Sequence, residues 1–217
     1  MLTTPSQHKV LLDLFNRGTK LTYRKGEFII RPGENQSGIF YIVSGIVKAY
    51  DITKYGEENL LIIRKDGDII GLTRAITGEE RSIIYSTLSP TELLYISQDQ
   101  FRAFLYDNPE AALPLIDKIV EMYKLHSERI LTLEYRSVRE RIISFLIGIS
   151  KKFGKTTDRG LVLEVPLRHQ DIASSISATR ETTSRELSVL ERQGLIVRDR
   201  QSIITICNME KLRSYLG

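Results

Sequence analysis

One cysteine, Cys207, and three histidines, His8, His126 and His169, are all that 217 residues offer in soft or imidazole ligands. A single thiol closes no internal disulfide and builds no four-cysteine iron–sulfur cluster. Three scattered histidines leave neither a zinc site nor an oxygenase centre with clustered ligands. No run approaches the roughly 20 consecutive apolar residues a membrane helix needs, and Met1-Leu2-Thr3-Thr4-Pro5 lacks the basic-then-apolar texture of an export signal. A cytoplasmic chain without membrane contact is the expectation. No Ser-His-Asp, Walker or Rossmann pattern occurs, and a cupin-type β enzyme would need clustered histidines. The chain is therefore expected not to be an enzyme and to carry no metal, haem or iron–sulfur cofactor.

What is present suits a folded chain of two parts. Hydrophobic residues at 41% and charged residues at 27% leave enough apolar surface for a sizeable core and argue against disorder, and 217 residues exceed the usual size of one domain. The charge is unevenly spread. Residues 1–135 hold 16 Lys and Arg against 18 Asp and Glu, whereas residues 136–217 hold 15 against 9, so the basic excess is C-terminal. One part that senses and another that meets a polyanion would give this asymmetry; a merely solvated basic face would give it too.

Residues 6–17 place Val10, Leu11, Leu14 and Phe15 at helical spacing behind Ser6 and predict a short amphipathic helix. From residue 20 to 96 the texture changes to β-branched and aromatic runs such as 28–30, 39–43 and 46–50, punctuated by glycines from Gly26 to Gly78. That spacing predicts an antiparallel sandwich or barrel. Helical spacing returns at Asp99, and Pro109 suits the first turn of a further helix. Leu113, Ile116, Val120, Tyr123, Ser127 and Ile130 then recur at steps of 3, 4, 3, 4 and 3, the seam of a coiled coil. Such a stripe can bury against its own domain. About 26 residues at about 1.5 Å each span about 39 Å, long for a helix that only roofs a small β domain, and this favours a homodimer paired along the seam. Residues 137–153 predict another helix with Val138, Ile142, Phe145, Leu146 and Ile149 inward, residues 154–160 a polar loop, and residues 161–165 a strand.

Residues 170–187 carry the most information. They read as two short helices around a tight turn, with Ile172 and Ile176 on the first and Leu187 and Leu190 on the second as buried faces, and Ala173 small where two helices cross. Thr179 can cap the second helix, whose opening residues Arg180, Glu181, Thr182 and Ser184 are polar and little suited to a core. In helix-turn-helix docking the start of the second helix meets base edges. Arg180 and Arg185 can each offer two donors to guanine O6 and N7, and Glu181 can accept from cytosine N4. Residues 195–197 and 203–206 read as a hairpin wing whose tip carries Arg200, a candidate phosphate contact. His169 reads as a surface or phosphate contact rather than a metal ligand. A helical hairpin with a solvated charged face is the plainer alternative, and it accounts for turn, cap, Arg-Glu-Arg face and wing only as coincidence.

On these residues nearly the whole chain resembles the cyclic AMP receptor and fumarate–nitrate regulator (CRP/FNR) family of bacterial transcription regulators. The carriers are Thr179, Arg180, Glu181 and Thr182 with Arg185, then Leu190-Glu191 and Gly194-Leu195-Ile196, together with residues 41–47 and Gly67-Asp68-Ile69-Ile70-Gly71. The resemblance implies an α+β fold: an N-terminal β-roll like a cyclic-nucleotide-binding jelly roll over residues 1–108, a long dimerisation helix over 109–135, and a C-terminal winged helix-turn-helix over 136–217. It implies a homodimer on double-stranded DNA with a palindromic, T-G-T-G-A-like half-site, and RNA polymerase as a partner. Two positions depart from the pattern: Ser177 stands where many turns have glycine, and Arg168 where the first helix is often capped by Thr or Ser. A less ideal turn is the expectation.

By the same resemblance an effector would be held by a phosphate cassette, here Gly71-Leu72 and Arg81-Ser82, with Ser127 of the seam where the family's adenine contact lies. The family's glutamate, which binds the ribose hydroxyl, is Leu72 in this chain. A hydroxyl buried against leucine loses its acceptor at a cost of about 1 to 3 kcal/mol, so cyclic AMP is expected to bind poorly. Arg81 can equally pair with Glu79, Glu80 or Glu121, or receive another anion such as a dicarboxylate. Haem sensing is disfavoured, because Cys207 lies at the exit of the wing. A regulatory module that binds a cyclic nucleotide or another anion and acts through a protein partner is the alternative function.

Overall fold

A strand that is apolar at every position has to be covered on both faces, and residues 39–42 build such a strand at the centre of the N-terminal part. The computed structural model describes residues 5–31, 38–79 and 82–216, with side chains from residue 9 onward. In chain order α1 (Pro5–Asn16), β1 (Thr19–Tyr23), β2 (Phe28–Ile30), β3 (Gly38–Ser44), β4 (Ile46–Ile52), β5 (Glu58–Lys65), β6 (Ile69–Ile70), α2 (Leu72–Thr77), β7 (Ile84–Thr87), β8 (Thr91–Ser97) and α3 (Gln98–Asp107) come first. They form two four-stranded sheets, ordered β1-β8-β3-β6 and β2-β7-β4-β5, whose recorded pairings are antiparallel.

The alternation of a strand explains the two cores. From β3, Phe40 and Ile42 turn toward the second sheet and pack with Ile29, Val47, Ile70 and Leu93. Ile39 turns the other way and packs with Leu11, Leu14, Phe15, Ala75, Phe101 and Leu115 under the helices. Each fully buried Ile or Phe contributes about 1.5 to 3 kcal/mol through water exclusion. The helices hold their ends by local chemistry: α3 starts at a capping box in which the Ser97 hydroxyl accepts from the Gln100 N–H and the Gln100 side chain accepts from the Ser97 N–H.

Pro109 opens a separate 3-10 turn, Pro109–Ala111, and α4 begins only at Ala112 and runs to Tyr135, 24 residues or about 36 Å. Seam residues Leu113, Ile116, Val120, Tyr123 and Ile130 are between 37% and 71% exposed, and Ser127 is half-buried. No helix among the described residues is long and apolar enough to cross a membrane.

The chain divides into two compact units, Met1–Ile52 with Leu61–Lys124, and Thr53–Leu60 with Leu125–Gly217. The expected limits at 108 and 135 follow secondary structure. The first unit takes α4 as far as Lys124, and the second takes the β4–β5 connection with the first residues of β5, 58–60. That unit continues with α5 (Val138–Phe153), β9 (Gly154–Thr157), β10 (Gly160–Leu163), α6 (His169–Ser175), α7 (Arg180–Arg192), β11 (Ile196–Arg198), β12 (Ile204–Ile206) and α8 (Met209–Ser214). Ser137 and Glu140 form a second capping box at the start of α5, which buries Ile142, Ile143, Leu146 and Phe153; Val138, Phe145 and Ile149 are half-buried. The sheet is ordered β11-β12-β10-β9. Residues 154–157, expected as part of a polar loop, form the edge strand β9, paired with β10 from Gly160↔Thr157 to Leu163↔Gly154. All four residues of β9 are exposed, so no apolar alternation marks them in the sequence.

Candidate nucleic-acid interface

The second of the paired helices is the best-specified element of the chain. Thr179 caps α7, its hydroxyl accepting from the Thr182 N–H at 3.2 Å. Thr183, Leu187 and Leu190 are buried. Thr179, Arg180, Glu181 and Arg185 are exposed, with Thr182 and Ser184 half-buried between them. From Arg180 to Arg185 the helix advances about 7.5 Å, the rise of about two base-pair steps. Glu186 is held by Arg139 of α5, Nε to Oε2 at 2.7 Å, which fixes the roll of α7 and leaves Arg185 only a 3.9 Å approach to the same carboxylate. The Arg185 side chain is 71% exposed and reaches outward. One defect lies beneath: the Thr183 hydroxyl is buried with no hydrogen-bond partner among the described residues, at a cost of about 1 to 3 kcal/mol.

The turn takes the form a glycine-free sequence permits. Ser177 adopts φ of 52°, the left-handed conformation glycine would adopt without strain, and the Ala178 N–H returns to the Ala173 carbonyl at 3.0 Å. The start of α6 is stronger than its capping residue suggests. Asp171, one turn into the helix and buried, accepts from the Arg168 N–H at 3.0 Å and takes the Arg168 guanidinium through Nε and Nη2, both at 2.9 Å. The carboxylate thus supplies the reciprocal half of a capping box, satisfying the N–H of the capping residue, and its bidentate bond to the guanidinium raises the Arg168 pKa. Glu58, the first residue of β5 and part of the same unit, adds a contact to Arg168 Nη2 at 3.3 Å.

The wing is stiffened at its tip, where the Asp199 carboxylate accepts from the N–H groups of Gln201 and Ile203 at 2.8 and 2.9 Å. Arg200 is exposed there. The Leu167 N–H donates to the Ser202 carbonyl at 2.9 Å and ties the wing to the start of α6. Between them lies an open cleft of about 400 Å³ lined by Arg168, His169, Gln170, Arg180, Arg198 and Ser202. His169 lies in this cleft. Its Nε2 is buried with no hydrogen-bond partner among the described residues, and burial first, then the charges of Arg198 and Arg180, opposed by Glu191, push its pKa below the ordinary imidazole value. Arg198, expected from the sequence in the arginine-bearing tip that joins the two wing strands, instead ends β11 and lines this cleft. As the last residue of an apolar strand it carries no motif, and only the hairpin register brings it to this cleft.

Of the expected effector residues, Gly71, Leu72 and Ser82 belong to the first unit. Gly71 adopts φ of 87° at the head of α2, where a Cβ would meet the Gly38 carbonyl oxygen at 2.5 Å, so glycine is required there for backbone reasons alone. Leu72 packs against the helical core of the first unit rather than standing free as a ligand contact. Ser82 is exposed, Arg81 lies outside the described residues, and Ser127 belongs to the second unit. Lys48, unnoticed within an apolar run, is 6% exposed in β4 with its ammonium 4.4 Å from the centroid of the Tyr50 ring.

Comparison with known proteins matches residues 20–108 to the cyclic nucleotide-binding domain and residues 140–215 to the Crp-like helix-turn-helix domain. The global nitrogen regulator of Synechocystis sp. is 26% identical over 212 residues, covering 94% of this chain and 94% of that protein. The cAMP-activated global transcriptional regulator CRP of Salmonella typhimurium is 28% identical over 183 residues, covering 84% of this chain and 87% of that protein. Among solved structures, FixK2 from Bradyrhizobium japonicum superposes with a TM-score of 0.78 at 21% identity, covering 91% of this chain and 96% of that one, a likeness of fold.

Proposed function

We propose a mode of action for this chain, which belongs to the CRP/FNR family of transcription regulators: it works as a cytoplasmic homodimer that reads a palindromic DNA site with one α7 in each half-site. The observation that carries the reading is the first turn and a half of α7, where Arg180, Glu181 and Arg185 stand exposed on a helix whose other face is buried. Two arginines with bidentate reach and a carboxylate between them suit a G·C-containing half-site, with guanine edges taken by the arginines and a cytosine amino group by Glu181. The exposed 3-4 seam of α4 supports pairing of two copies, and two-fold protein symmetry asks for half-sites about 34 Å apart. RNA polymerase is the partner such a DNA-bound regulator addresses.

The effector differs from that of the relative whose name records activation by cAMP. Leu72 offers no acceptor to a ribose hydroxyl and packs with the core, so cyclic AMP affinity is expected to be weak. The test of the DNA reading is a salt titration with a cognate and a random duplex. Phosphate contacts impose a slope of about −0.9 log units per neutralised phosphate, and base contacts appear as the ratio between the duplexes. Binding that ignores salt, or is equal for both duplexes, defeats the proposal.

A further inference from the structure

Arg185, one of the two arginines assigned to a guanine edge, has a carboxylate as its next neighbour, and the commitment of that carboxylate decides whether the arginine is free to reach DNA. The Glu186 side chain is only 16% exposed, and two guanidinium groups approach it. Arg139 of α5 bonds its Oε2 through Nε at 2.7 Å, whereas Arg185 Nε stays 3.9 Å from Oε1, beyond hydrogen-bond reach, with its own side chain 71% exposed. A carboxylate so far withdrawn from water holds a cation where one is in reach, because an uncompensated charge there costs far more than one at the surface. Glu181, one turn before Arg185, is exposed, and a surface pair at that spacing is worth little, so it has no comparable hold. Glu186 is the group able to withdraw Arg185, and Arg139 satisfies it instead. Local structure makes Arg139 available for this. The neighbouring carboxylate of Glu140 is taken by the Ser137 N–H at 2.8 Å and the Ser137 hydroxyl at 2.6 Å, so it does not compete for the guanidinium, and the same capping box fixes the first turn of α5 on which Arg139 stands. Arg141, two residues on, donates to the Ile176 carbonyl at 3.3 Å and ties this turn to the end of α6 without Arg139.

We infer that Arg139 is a positioning residue for base recognition: by holding Glu186 it leaves Arg185 free to take a guanine edge, acting through that carboxylate rather than on DNA. The inference rests on the DNA-binding reading and adds what keeps one of its two arginine readers available. Without Arg139 the Glu186 carboxylate keeps its charge, and Arg185 is the other cation within 4.0 Å of it among the described residues, about 1 Å outside hydrogen-bond distance. A change of rotamer closes that gap, and a guanidinium drawn back to the carboxylate is lost to guanine O6 and N7. The loss is local. Preference falls at the base pair that Arg185 reads, while Arg180, five residues earlier in α7, and the phosphate contacts keep their roles.

The test is competition binding of the full chain to a cognate duplex and its single-base variants, with water exchange of the Arg185 Nε–H followed by NMR in the free protein. Arg185→Ala first marks the base pair that this residue reads. Arg139→Ala is expected to relax preference at that same base pair by about 5- to 150-fold, the range of one bidentate contact, with the other base pairs and the salt slope unchanged and the Arg185 Nε–H exchanging more slowly. Arg139→Lys, and Arg139→Ala combined with Glu186→Gln, should restore both readouts, since one replaces the cation and the other removes the charge that recruits Arg185. Arg139→Met, which keeps the apolar stem, takes the place of the alanine variant should that one not fold. Wild-type preference in Arg139→Ala overturns the inference. So does a double variant that stays relaxed, the outcome expected if the pair serves only to set the roll of α7. A wild-type chain that binds cognate and random duplexes alike defeats the DNA-binding reading and takes the inference with it, whereas an Arg185 Nε–H that exchanges no more slowly in Arg139→Ala overturns the inference alone.

Discussion

Helices α2 and α7 both begin where a member of this family is expected to meet something else, and they begin in opposite ways. The head of α7 is a Thr179 cap with a side-chain hydrogen bond, followed by charged residues that stand in water. The head of α2 is Gly71 with no side-chain cap, followed by Leu72, which turns into the core. A first turn of exposed charge has no role in its own domain and is free to read a partner. A first turn whose leading residue packs inward commits that side chain to the domain. On the reading proposed above, the head of α7 faces DNA, while the head of α2 has lost the acceptor a ribose hydroxyl would need.

The largest effect should come from removing the dimer on which symmetrical reading depends. Val120→Glu with Tyr123→Glu places charges in the seam of α4 and is expected to weaken dimerisation by at least about 4 kcal/mol, about a thousandfold, while circular dichroism reports the β-roll intact. Sedimentation velocity checks this, and a wild-type chain already monomeric at micromolar concentration contradicts the premise. Next, Arg180→Ala or Arg185→Ala should cost about 1 to 3 kcal/mol on the cognate duplex and relax preference at one base pair, whereas Arg200→Ala should weaken every duplex alike. Competition binding with single-base variants separates the two, and equal losses on specific and random DNA would remove α7 from the role of reader.

The contrast at α2 is sharpened by ligand and by mutation. Calorimetry should detect no cyclic AMP binding at micromolar affinity. Leu72→Glu should lower the melting stability of the first unit by about 1 to 3 kcal/mol, because it withdraws an apolar contact and sets a carboxylate against the core. A Leu72→Glu chain of unchanged stability would show that the position is free for a ligand after all. Smallest is the orphan hydroxyl under α7: Thr183→Val keeps shape and removes the unpaired group, so chemical denaturation should find the second unit more stable by about 1 kcal/mol.

Much of the reading end was legible in the chain because its signals are local. A capping threonine, polar positions ahead of Leu187 and Leu190, and glycine at 194 act within a few residues of where they are read. The capping of α6 was half legible. Arg168 looks like a poor cap, and only with Asp171 three residues on does it become a bidentate pair. Residues 154–157 were misjudged because an edge strand with all side chains in water carries no period; its strand form comes from the backbone pairing that β10 provides.

What the amino-acid order determined by itself is therefore whatever nearest neighbours settle: the cap and polar face of α7, the two-faced apolar run of β3, and the 3-4 stripe of α4. What only the tertiary structure decided is which distant residues share a space. His169, Arg180 and Arg198 stand on three elements, and no spacing rule relates them until a hairpin register and the bond from Leu167 to Ser202 bring them to one cleft. Leu72 likewise declares its role only through the buried residues it meets, since the same side chain on another face would have lined a pocket. Local propensity acts over a few residues, whereas charge and burial act through space, and the fold alone converts one into the other.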